Sequence, residues 1–230
     1  MNSYNTKISG LKFLTKDVVE ITFKLKDGQK MNFIPGQFVI VEVQSQPNVS
    51  RAYSVLDYNL ETNEVKIAVR KVEGGQATTI IFNEFRIDRE VKLMGALGGE
   101  LIVDKNNKEL VLVATGIGIT PILCILKDLV DSNYDGKIEF IHGARTVSEL
   151  FYMNEIKELV ASNDNIEYIP ILSKDVVDDM RFGYVTDIAK DMELSNKHIY
   201  MCSSPIVAKS FKELLIEKEF DLSSFSCESA

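Results

Sequence analysis

The pattern of apolar residues changes near position 104, and this change most constrains what the chain can fold into. Before it, apolar side chains alternate with polar ones in short runs, as in Val19–Leu25 and Phe38–Val43. Alternation with a period of two is typical of strands with one buried face. After it, continuous apolar runs such as Glu109–Thr115 are followed by segments at helical spacing such as Pro121–Val130. This second pattern is typical of a parallel sheet covered by helices.

Turn residues separate the short strands of the first half and predict an antiparallel sandwich or barrel. In the second half, strands and helices alternate as in βαβ units around a parallel sheet. The further strands predicted by these patterns are 51–56, 65–69, 137–143, 165–172 and 198–202, and the further helices are 80–85, 147–160 and 206–218.

Two domains follow from these patterns, because 230 residues suffice for two cores of about 100 residues each. We place the boundary in the polar stretch Asp104–Lys108, which gives a β-domain over residues 1–104 and an α/β domain over residues 105–230. The chain shows no internal repeat and no low-complexity tract.

Charge and composition exclude several classes of function. A net charge of −8 disfavours nucleic-acid or anionic-membrane partners, because both require a basic face. The N-terminus lacks the features of a secretory signal, and no run of 18 apolar residues occurs, so we expect a cytoplasmic protein without a membrane span. The three cysteines form no C-x-x-C pair, which leaves zinc and iron–sulfur ligation unsupported.

The segment Arg51-Ala52-Tyr53-Ser54 combines a planar cation, an aromatic ring and a hydroxyl on one predicted strand. Arg51 and Tyr53 lie on the same strand face, where a guanidinium can pair with phosphate while a flat ring packs against the tyrosine. Such a set suits a nucleotide. Taken alone, the segment is an edge strand with an exposed arginine.

A second candidate follows the strand that ends at Ala68-Val69-Arg70-Lys71. There, Gly74-Gly75-Gln76-Ala77-Thr78-Thr79 leads into a helix-like run, and small residues at a helix start leave backbone N–H groups that bind an anion. Taken alone, this segment is an ordinary helix N-cap.

The stretch VATGIGITP, from Val113 to Pro121, lies where the first strand of the α/β half ends. Gly116 and Gly118 allow the main chain to turn and to approach a ligand without a Cβ in the way. We place Thr120 as the helix cap and Pro121 at the first helical position. The stretch is not G-x-G-x-x-G, so from its residues alone it is either a tight corner or a turn that cradles phosphate.

Other strand ends of the α/β half carry donors at the same edge of the predicted sheet. His142–Arg145 follows the second strand, Ser173-Lys174 follows the third, and Met201–Pro205 follows the last. Each could serve a ribose or a phosphate, and each charge could equally be solvated. Cys202 has an alternative interpretation as a buried thiol, because cysteine is a common small core residue.

In this order and spacing, the segments resemble the ferredoxin–NADP reductase superfamily of flavoproteins. The resemblance spans nearly the whole chain, and its segments are Pro35–Phe38, Arg51–Ser54, Gly74–Thr78, Gly116–Pro121, Gly143–Arg145, Gly183–Thr186 and Cys202–Pro205. It implies an antiparallel Greek-key β-barrel that binds FAD, followed by a Rossmann-like parallel-sheet domain that binds NAD(P)H.

The resemblance also implies roles for individual residues. Arg51 would pair with the flavin pyrophosphate, Tyr53 would pack on the isoalloxazine, and Ser54 would bond near its N5. The implied catalytic residues are Ser54, Cys202 and Glu228. The implied cofactor-binding residues are, in the first domain, Arg51, Ala52, Tyr53, Ser54, Ala68, Val69, Arg70, Gly75, Gln76, Ala77 and Thr78, and, in the second, Thr115, Gly116, Gly118, Thr120, Pro121, Arg145, Ser173, Lys174, Tyr184, Cys202, Ser203 and Pro205; no metal ligand is implied.

The chain departs from the family pattern at two places. Relatives often end in Glu-x-aromatic, whereas here Glu228 is followed by Ser229 and Ala230, which implies an open flavin face, a cover supplied by a partner, or continuation into another domain in relatives. Ser203-Ser204 stands where Gly-Pro is commoner. Ser173-Lys174 and Tyr184 leave the choice between NADH and NADPH open, with a slight preference for tolerance of NADPH.

The expected function is that of an oxidoreductase that takes hydride from NAD(P)H onto bound FAD. Nicotinamide and flavin supply the redox chemistry once the protein aligns them, so no catalytic triad or metal is needed. Because the chain shows no iron–sulfur segment, we expect a separate electron acceptor: ferredoxin, flavodoxin or an oxygenase component. The alternatives are a free-flavin reductase and a non-catalytic nucleotide-binding subunit of a larger redox complex.

Overall fold

The computed structural model describes residues 2–229, which form two compact units divided between Ile102 and Val103. The first unit is a closed antiparallel barrel with one helix. Its elements are β1 Ser3–Thr15, β2 Val18–Leu25, β3 Phe38–Gln44, β4 Val49–Asn59, β5 Glu64–Arg70, α1 Gln76–Glu84 and β6 Glu90–Leu97.

The barrel strands follow the order β1-β2-β5-β4-β3-β6, and β6 returns to pair with β1. This order is the Greek-key barrel that the sequence predicts, and closure leaves no sheet edge exposed. Alternate residues of each strand fill the interior, among them Phe23, Val41 and Ile67, which are fully buried. α1 contacts β3 and β4, and its residues Ala77 and Ile81 join the barrel core.

The second unit is a parallel sheet with helices, as predicted. Its elements are β7 Glu109–Thr115, α2 Ile119–Asp131, β8 Lys137–Ala144, α3 Met153–Ala161, β9 Ile166–Leu172, β10 Arg181–Phe182, α4 Val185–Asp191, β11 His198–Ser203, α5 Pro205–Glu217 and β12 Phe225–Ser229. Short 3-10 segments cover Gly116–Gly118, Val147–Glu149 and Leu222–Ser224.

The sheet order is β10-β9-β8-β7-β11-β12, and all neighbouring strands are parallel. From β7 the chain builds outward to β10, and it then returns to place β11 on the other side of β7. Strand order therefore reverses between β7 and β11, and ligands of open α/β sheets bind at the carboxyl ends of strands at such a point. α4 and α5 share a core with one face of the sheet, whereas α2 contacts β7 and β11.

The predicted helix over residues 147–160 is wrong in its first part. The structure has a 3-10 segment at Val147–Glu149, and α3 begins only at Met153. Tyr152 separates the two with a positive φ of 62°, a conformation that an α-helix does not contain. The apolar spacing continues across this break because Leu150 and Phe151 are buried outside any helix.

A buried ion pair holds the amino ends of the sheet. Glu139, near the start of β8, bonds Lys197, which immediately precedes β11, and both residues are more than nine-tenths buried. Removing one partner of such a pair leaves an uncompensated charge in the interior, which is costly. The amino edge of the sheet is thus closed by a structural contact, and the carboxyl edge carries the candidate ligand residues.

Gly118 contacts the end of β11. A Cβ at this position would overlap the carbonyl carbon and oxygen of Cys202 and would lie 3.0 Å from the nitrogen of Ser203. The main chain that connects β7 to α2 therefore passes against the main chain of β11. Only glycine allows this approach, because any side chain would force the two segments apart.

Gly118→Ala should therefore lower the free energy of unfolding by about 3 kcal/mol, the upper end of the cost of overpacking. Gly99→Ala is the matched control, because a Cβ there meets only the side chain of Ile102, at 3.9 Å. We expect the control to stay within about 0.5 kcal/mol of the parent chain. Urea unfolding followed by circular dichroism measures both, and equal midpoints for the two variants would contradict the contact.

Candidate functional site

In the barrel, β4 presents Arg51 and Tyr53 on one strand face, as the alternation predicts. Tyr53 pairs with Val39 of β3 and packs against the barrel core, whereas Arg51 is exposed and its Nη1 donates to the carbonyl of Ser50 at 2.7 Å. Burial raises the pKa of Tyr53 to about 12, so the phenol stays neutral near pH 7. The strand therefore offers a neutral ring two residues from an accessible guanidinium.

The start of α1 supplies backbone donors. Gly75 is the N-cap, without a side-chain cap bond in the described structure, and the first helical bond runs from Thr79 N to Gly75 O. The Thr78 hydroxyl accepts from Val72 N at 3.1 Å, so this side chain braces its own loop. N–H groups of the first helical turn lack intrahelical acceptors, which suits an anion at this end of α1.

These residues fit a flavin nucleotide. A guanidinium and helix N-terminal N–H groups match a pyrophosphate, and the half-buried ring of Tyr53 matches a flat heterocycle. α1 contacts β4, the strand that carries Arg51 and Tyr53. The remaining predicted residues of this unit divide by exposure: Ala52 and Gln76 are exposed, Ser54, Arg70 and Gly75 are intermediate, and Ala68, Val69, Ala77 and Thr78 are buried.

The glycine turn after β7 differs in detail from the prediction. Gly116 has a positive φ of 56° and begins the 3-10 segment, and α2 starts at Ile119 with Gly118 as its cap. Thr120 is therefore not the cap, and Pro121 is the third helical residue, not the first. The Thr120 hydroxyl donates to Ile117 O at 2.7 Å, which fixes the turn. Both Thr120 and Pro121 are buried, whereas Thr115 and Gly116 are partly accessible.

The neighbouring strand ends bring Arg145, Ser173 and Lys174 together. Ser173 N donates to Ala144 O at 3.0 Å, and Lys174 N donates to Arg145 O at 2.9 Å. Lys174 and Arg145 are exposed, and the guanidinium of Arg145 is bound to the carboxylate of Glu149. Tyr184 caps α4 and leaves its ring 65% exposed at the same edge of the sheet.

Cys202 and Glu228 are direct partners across β11 and β12. Burial, with smaller contributions from the Glu228 carboxylate and Cys227, raises the pKa of the Cys202 thiol to about 12. The thiol is thus protonated at neutral pH and offers a small neutral group, because thiolate is the reactive form of cysteine. Ser203 is buried, and Pro205 is exposed at the start of α5. The expected role of Ala230 lies outside the described residues.

Sequence reasoning missed two residues at this edge, Glu149 and Asp175. Asp175 Oδ2 accepts from Val147 N at 2.9 Å and so ties the loop after β9 to the loop after β8. The spacing of Arg145 and Glu149, four residues apart, was the available signal for their ion pair. This spacing carries little weight because Arg145 lies before the predicted helix over residues 147–160.

His142 lies within β8 and is fully buried. Its Nδ1 and the Tyr168 hydroxyl are hydrogen-bonded at 3.0 Å, and its ring stacks on Phe140. Nε2 has no hydrogen-bond partner within residues 2–229. Burial lowers the pKa of His142 to about 3, so the imidazole is neutral at physiological pH and is part of the core.

The two halves match two families of oxidoreductase domains. The family described as "Oxidoreductase FAD-binding domain" matches residues 5–100, and the family described as "Oxidoreductase NAD-binding domain" matches residues 112–213. The chain is therefore a flavin- and nicotinamide-nucleotide-binding oxidoreductase. It belongs to these two domain families, and its fold is that of a ferredoxin–NADP reductase, as the resemblance of its motifs implies.

Solved structures confirm the fold. The flavohaem-like FAD/NAD-binding domain of nitric oxide dioxygenase from Vibrio cholerae O1 biovar El Tor has a TM-score of 0.89 at 18% identity, with 100% of this chain and 99% of that chain covered. A ferredoxin NADP+ reductase from Neisseria gonorrhoeae, solved with bound FAD and NADP, has a TM-score of 0.85 at 17% identity, with the same coverage of both chains.

Curated relatives are reductase components. The chain is 25% identical over 208 residues to the reductase component of propane 2-monooxygenase from Mycolicibacterium smegmatis, covering 87% of this chain and 60% of that protein. It is 28% identical over 212 residues to the phenol 2-monooxygenase reductase component DmpP from Pseudomonas sp. strain CF600, covering 89% and 59%. The chain thus spans about three-fifths of the length of these relatives.

Among residues 2–229, no helix combines the length and apolarity needed to cross a bilayer.

The buried imidazole predicts a pH dependence of stability. His142 has a folded pKa of about 3 against an ordinary value of 6.5. Between pH 3 and pH 6.5, the imidazole is therefore protonated in the unfolded chain and neutral in the folded chain. Stability is fully present above pH 6.5 and is lost as pH falls toward 3, by up to about 1.4 kcal/mol per pH unit from this one group.

His142→Phe should reduce that loss, because the ring stack remains and the titrating group is removed. Tyr168→Phe should retain it, since burial and not the Tyr168 bond depresses the pKa. The measurement is urea unfolding of the three proteins at pH 7.5, 6.0 and 5.0. The same pH dependence in the parent chain and in His142→Phe would show that the imidazole does not contribute.

Proposed function

We propose that this chain takes hydride from NAD(P)H onto bound FAD and passes the electrons to a separate redox protein. The observation that carries the proposal is the pairing of two sites of complementary chemistry. One unit has a guanidinium, an aromatic ring and a helix N-terminus for a flavin dinucleotide, and the other has a glycine turn where strand order reverses. Both family matches support this assignment.

The protein's contribution to the chemistry is to bind and orient the reacting rings. When bound, FAD accepts hydride from the nicotinamide and releases electrons singly or in pairs. Arg51 and the first turn of α1 would hold the flavin pyrophosphate, and Tyr53 would pack on the ring. The turn at Gly116–Gly118 would hold the nicotinamide nucleotide, with the neutral thiol of Cys202 at the end of β11 and the carboxylate of Glu228 beside it on β12.

A protein acceptor is the form of the proposal that the relatives favour. Proteins that match this chain are named as reductase components of propane 2-monooxygenase and phenol 2-monooxygenase, and another, from Yersinia pestis, as a reductase of a CDP-hexulose dehydrase. A reductase component delivers electrons to a partner that performs the chemistry on the substrate. We assign this chain the same class of partner, a ferredoxin, a flavodoxin or an oxygenase component.

Anaerobic stopped-flow mixing of the FAD-loaded protein with NADH, and separately with NADPH, tests the proposal. We expect bleaching of the flavin absorbance within seconds with at least one coenzyme. Absence of bleaching with both, or no retention of FAD after incubation, would overturn it. Steady-state kinetics separate the free-flavin alternative, because tightly held FAD gives a ping-pong pattern and a flavin substrate gives a sequential one.

Arg51→Ala should weaken FAD binding about 30-fold, as expected when charge-assisted hydrogen bonds to phosphate are lost. The fold should persist, because Arg51 is exposed. Arg86→Ala is the matched control, since it removes one exposed arginine of the same unit, whose Nη1 donates to the carbonyl of Glu84 at the end of α1. Titration of flavin fluorescence gives the dissociation constants, and equal values for both variants would remove Arg51 from the site.

A further inference from the structure

The Arg145 side chain is held in a two-pronged ion pair. Its Nε donates to Glu149 Oε2 at 3.1 Å, and its Nη2 donates to Glu149 Oε1 at 2.6 Å. The Arg145 side chain is 58% exposed, whereas that of Glu149 is only 19% exposed. The planar fork of arginine matches a carboxylate in this geometry, and the same edge of the fork would match a phosphate.

Hydrogen bonds from the loop after β9 hold the loop that carries this pair. Asp175 Oδ2 accepts from Val147 N at 2.9 Å, midway between the two paired residues. Lys174 N and Asp175 N donate to Arg145 O at 2.9 and 3.2 Å. The main chain is therefore anchored at Arg145 and at Val147, and Glu149 N donates to Thr146 O at 3.0 Å within the same loop.

The pair stands at the carboxyl end of β8, next to the strand where the order of the sheet reverses. In α/β nucleotide-binding folds, the residues after the strand beside the glycine turn read the adenosine ribose. An acidic side chain there accepts from a 2′-hydroxyl, and an arginine there accommodates a 2′-phosphate. This chain has both groups at that place, bound to each other.

We propose that Glu149 makes the chain select NADH over NADPH by occupying Arg145. A 2′-phosphate would have to displace the carboxylate from the guanidinium and would meet its negative charge. A 2′-hydroxyl can instead donate to Glu149 without breaking the pair. Asp175, whose Oδ2 accepts from Val147 N, adds a second carboxylate at this loop, which opposes a phosphate further. The inference rests on the proposed use of NAD(P)H and deepens it.

The test is equilibrium binding of adenosine 2′,5′-bisphosphate and 5′-AMP by calorimetry, which needs no flavin and no turnover. Glu149→Gln should tighten binding of the bisphosphate about tenfold, the effect of freeing one charge-assisted donor set, while 5′-AMP changes by less than about threefold. The double variant Arg145→Ala/Glu149→Gln should lose the gain, because the guanidinium supplies it. Glu213→Gln is the charge control, since Glu213 pairs with Lys209 on α5 in the same i,i+4 arrangement.

The inference is overturned if the bisphosphate does not bind more tightly to Glu149→Gln than to the parent chain, including the case in which it does not bind at all. It is also overturned if Glu213→Gln gives the same gain. Stopped-flow reduction separates this failure from failure of the proposed function. Unchanged bleaching by NADH in the parent chain keeps the reductase assignment even when Glu149 proves neutral, whereas no bleaching by either coenzyme removes the reductase assignment itself.

Discussion

The contact between the Gly118 main chain and the Cys202 carbonyl is the constraint on which the α/β unit depends. β7 and β11 are neighbours in the sheet although about 80 residues separate them in the chain, and α2 must leave β7 and cross the end of β11. A side chain at residue 118 would keep these segments apart. The same approach brings the first turn of α2 to the end of β11. The notion of a glycine that makes room for a ligand therefore needs refinement: Gly116 makes the turn, and Gly118 makes room for the neighbouring strand.

Much of this architecture could be predicted from the sequence, because β2–β5 alternate and β7–β9 are continuous apolar runs. β1 was not predicted because its inward positions include Thr6, a polar residue that is buried and whose hydroxyl donates to Val91 O at 2.7 Å. β12 was missed because, as an edge strand, none of its residues is fully buried and its sequence has no apolar run. Both strands are stabilised by partner strands that are distant in sequence. A local sequence pattern does not contain that information.

The segments that form the candidate site could be predicted from the sequence, whereas the contacts of their side chains could not. The ordered motifs locate the strand ends and the start of α1, because turn glycines and small residues have local causes. What each side chain does depends on its contacts. Thr78 is turned toward Val72, Thr120 toward Ile117 and Arg145 toward Glu149, so three donors that a motif counts as available to a ligand are engaged within the protein. Motifs therefore predict the location of a ligand site more reliably than they predict the atoms that would bind the ligand.

Under the proposed function, charged side chains and neutral side chains are assigned to different ends of each nucleotide. Among the groups assigned to the reacting rings, burial keeps the Tyr53 phenol and the Cys202 thiol protonated at physiological pH, and the Glu228 carboxylate is the exception. The cations assigned to phosphates and ribose, Arg51 and Arg145, are exposed. Hydride transfer moves an electron pair between rings, and a fixed charge beside either ring would favour one redox state over the other by a Coulomb term that low dielectric magnifies. A phosphate charge is the same in both redox states, so a cation there changes affinity without biasing the direction of transfer. Because Glu149 is assigned to the ribose and not to the rings, we expect a variant at Glu149 to alter coenzyme choice while the chemistry at the rings stays the same.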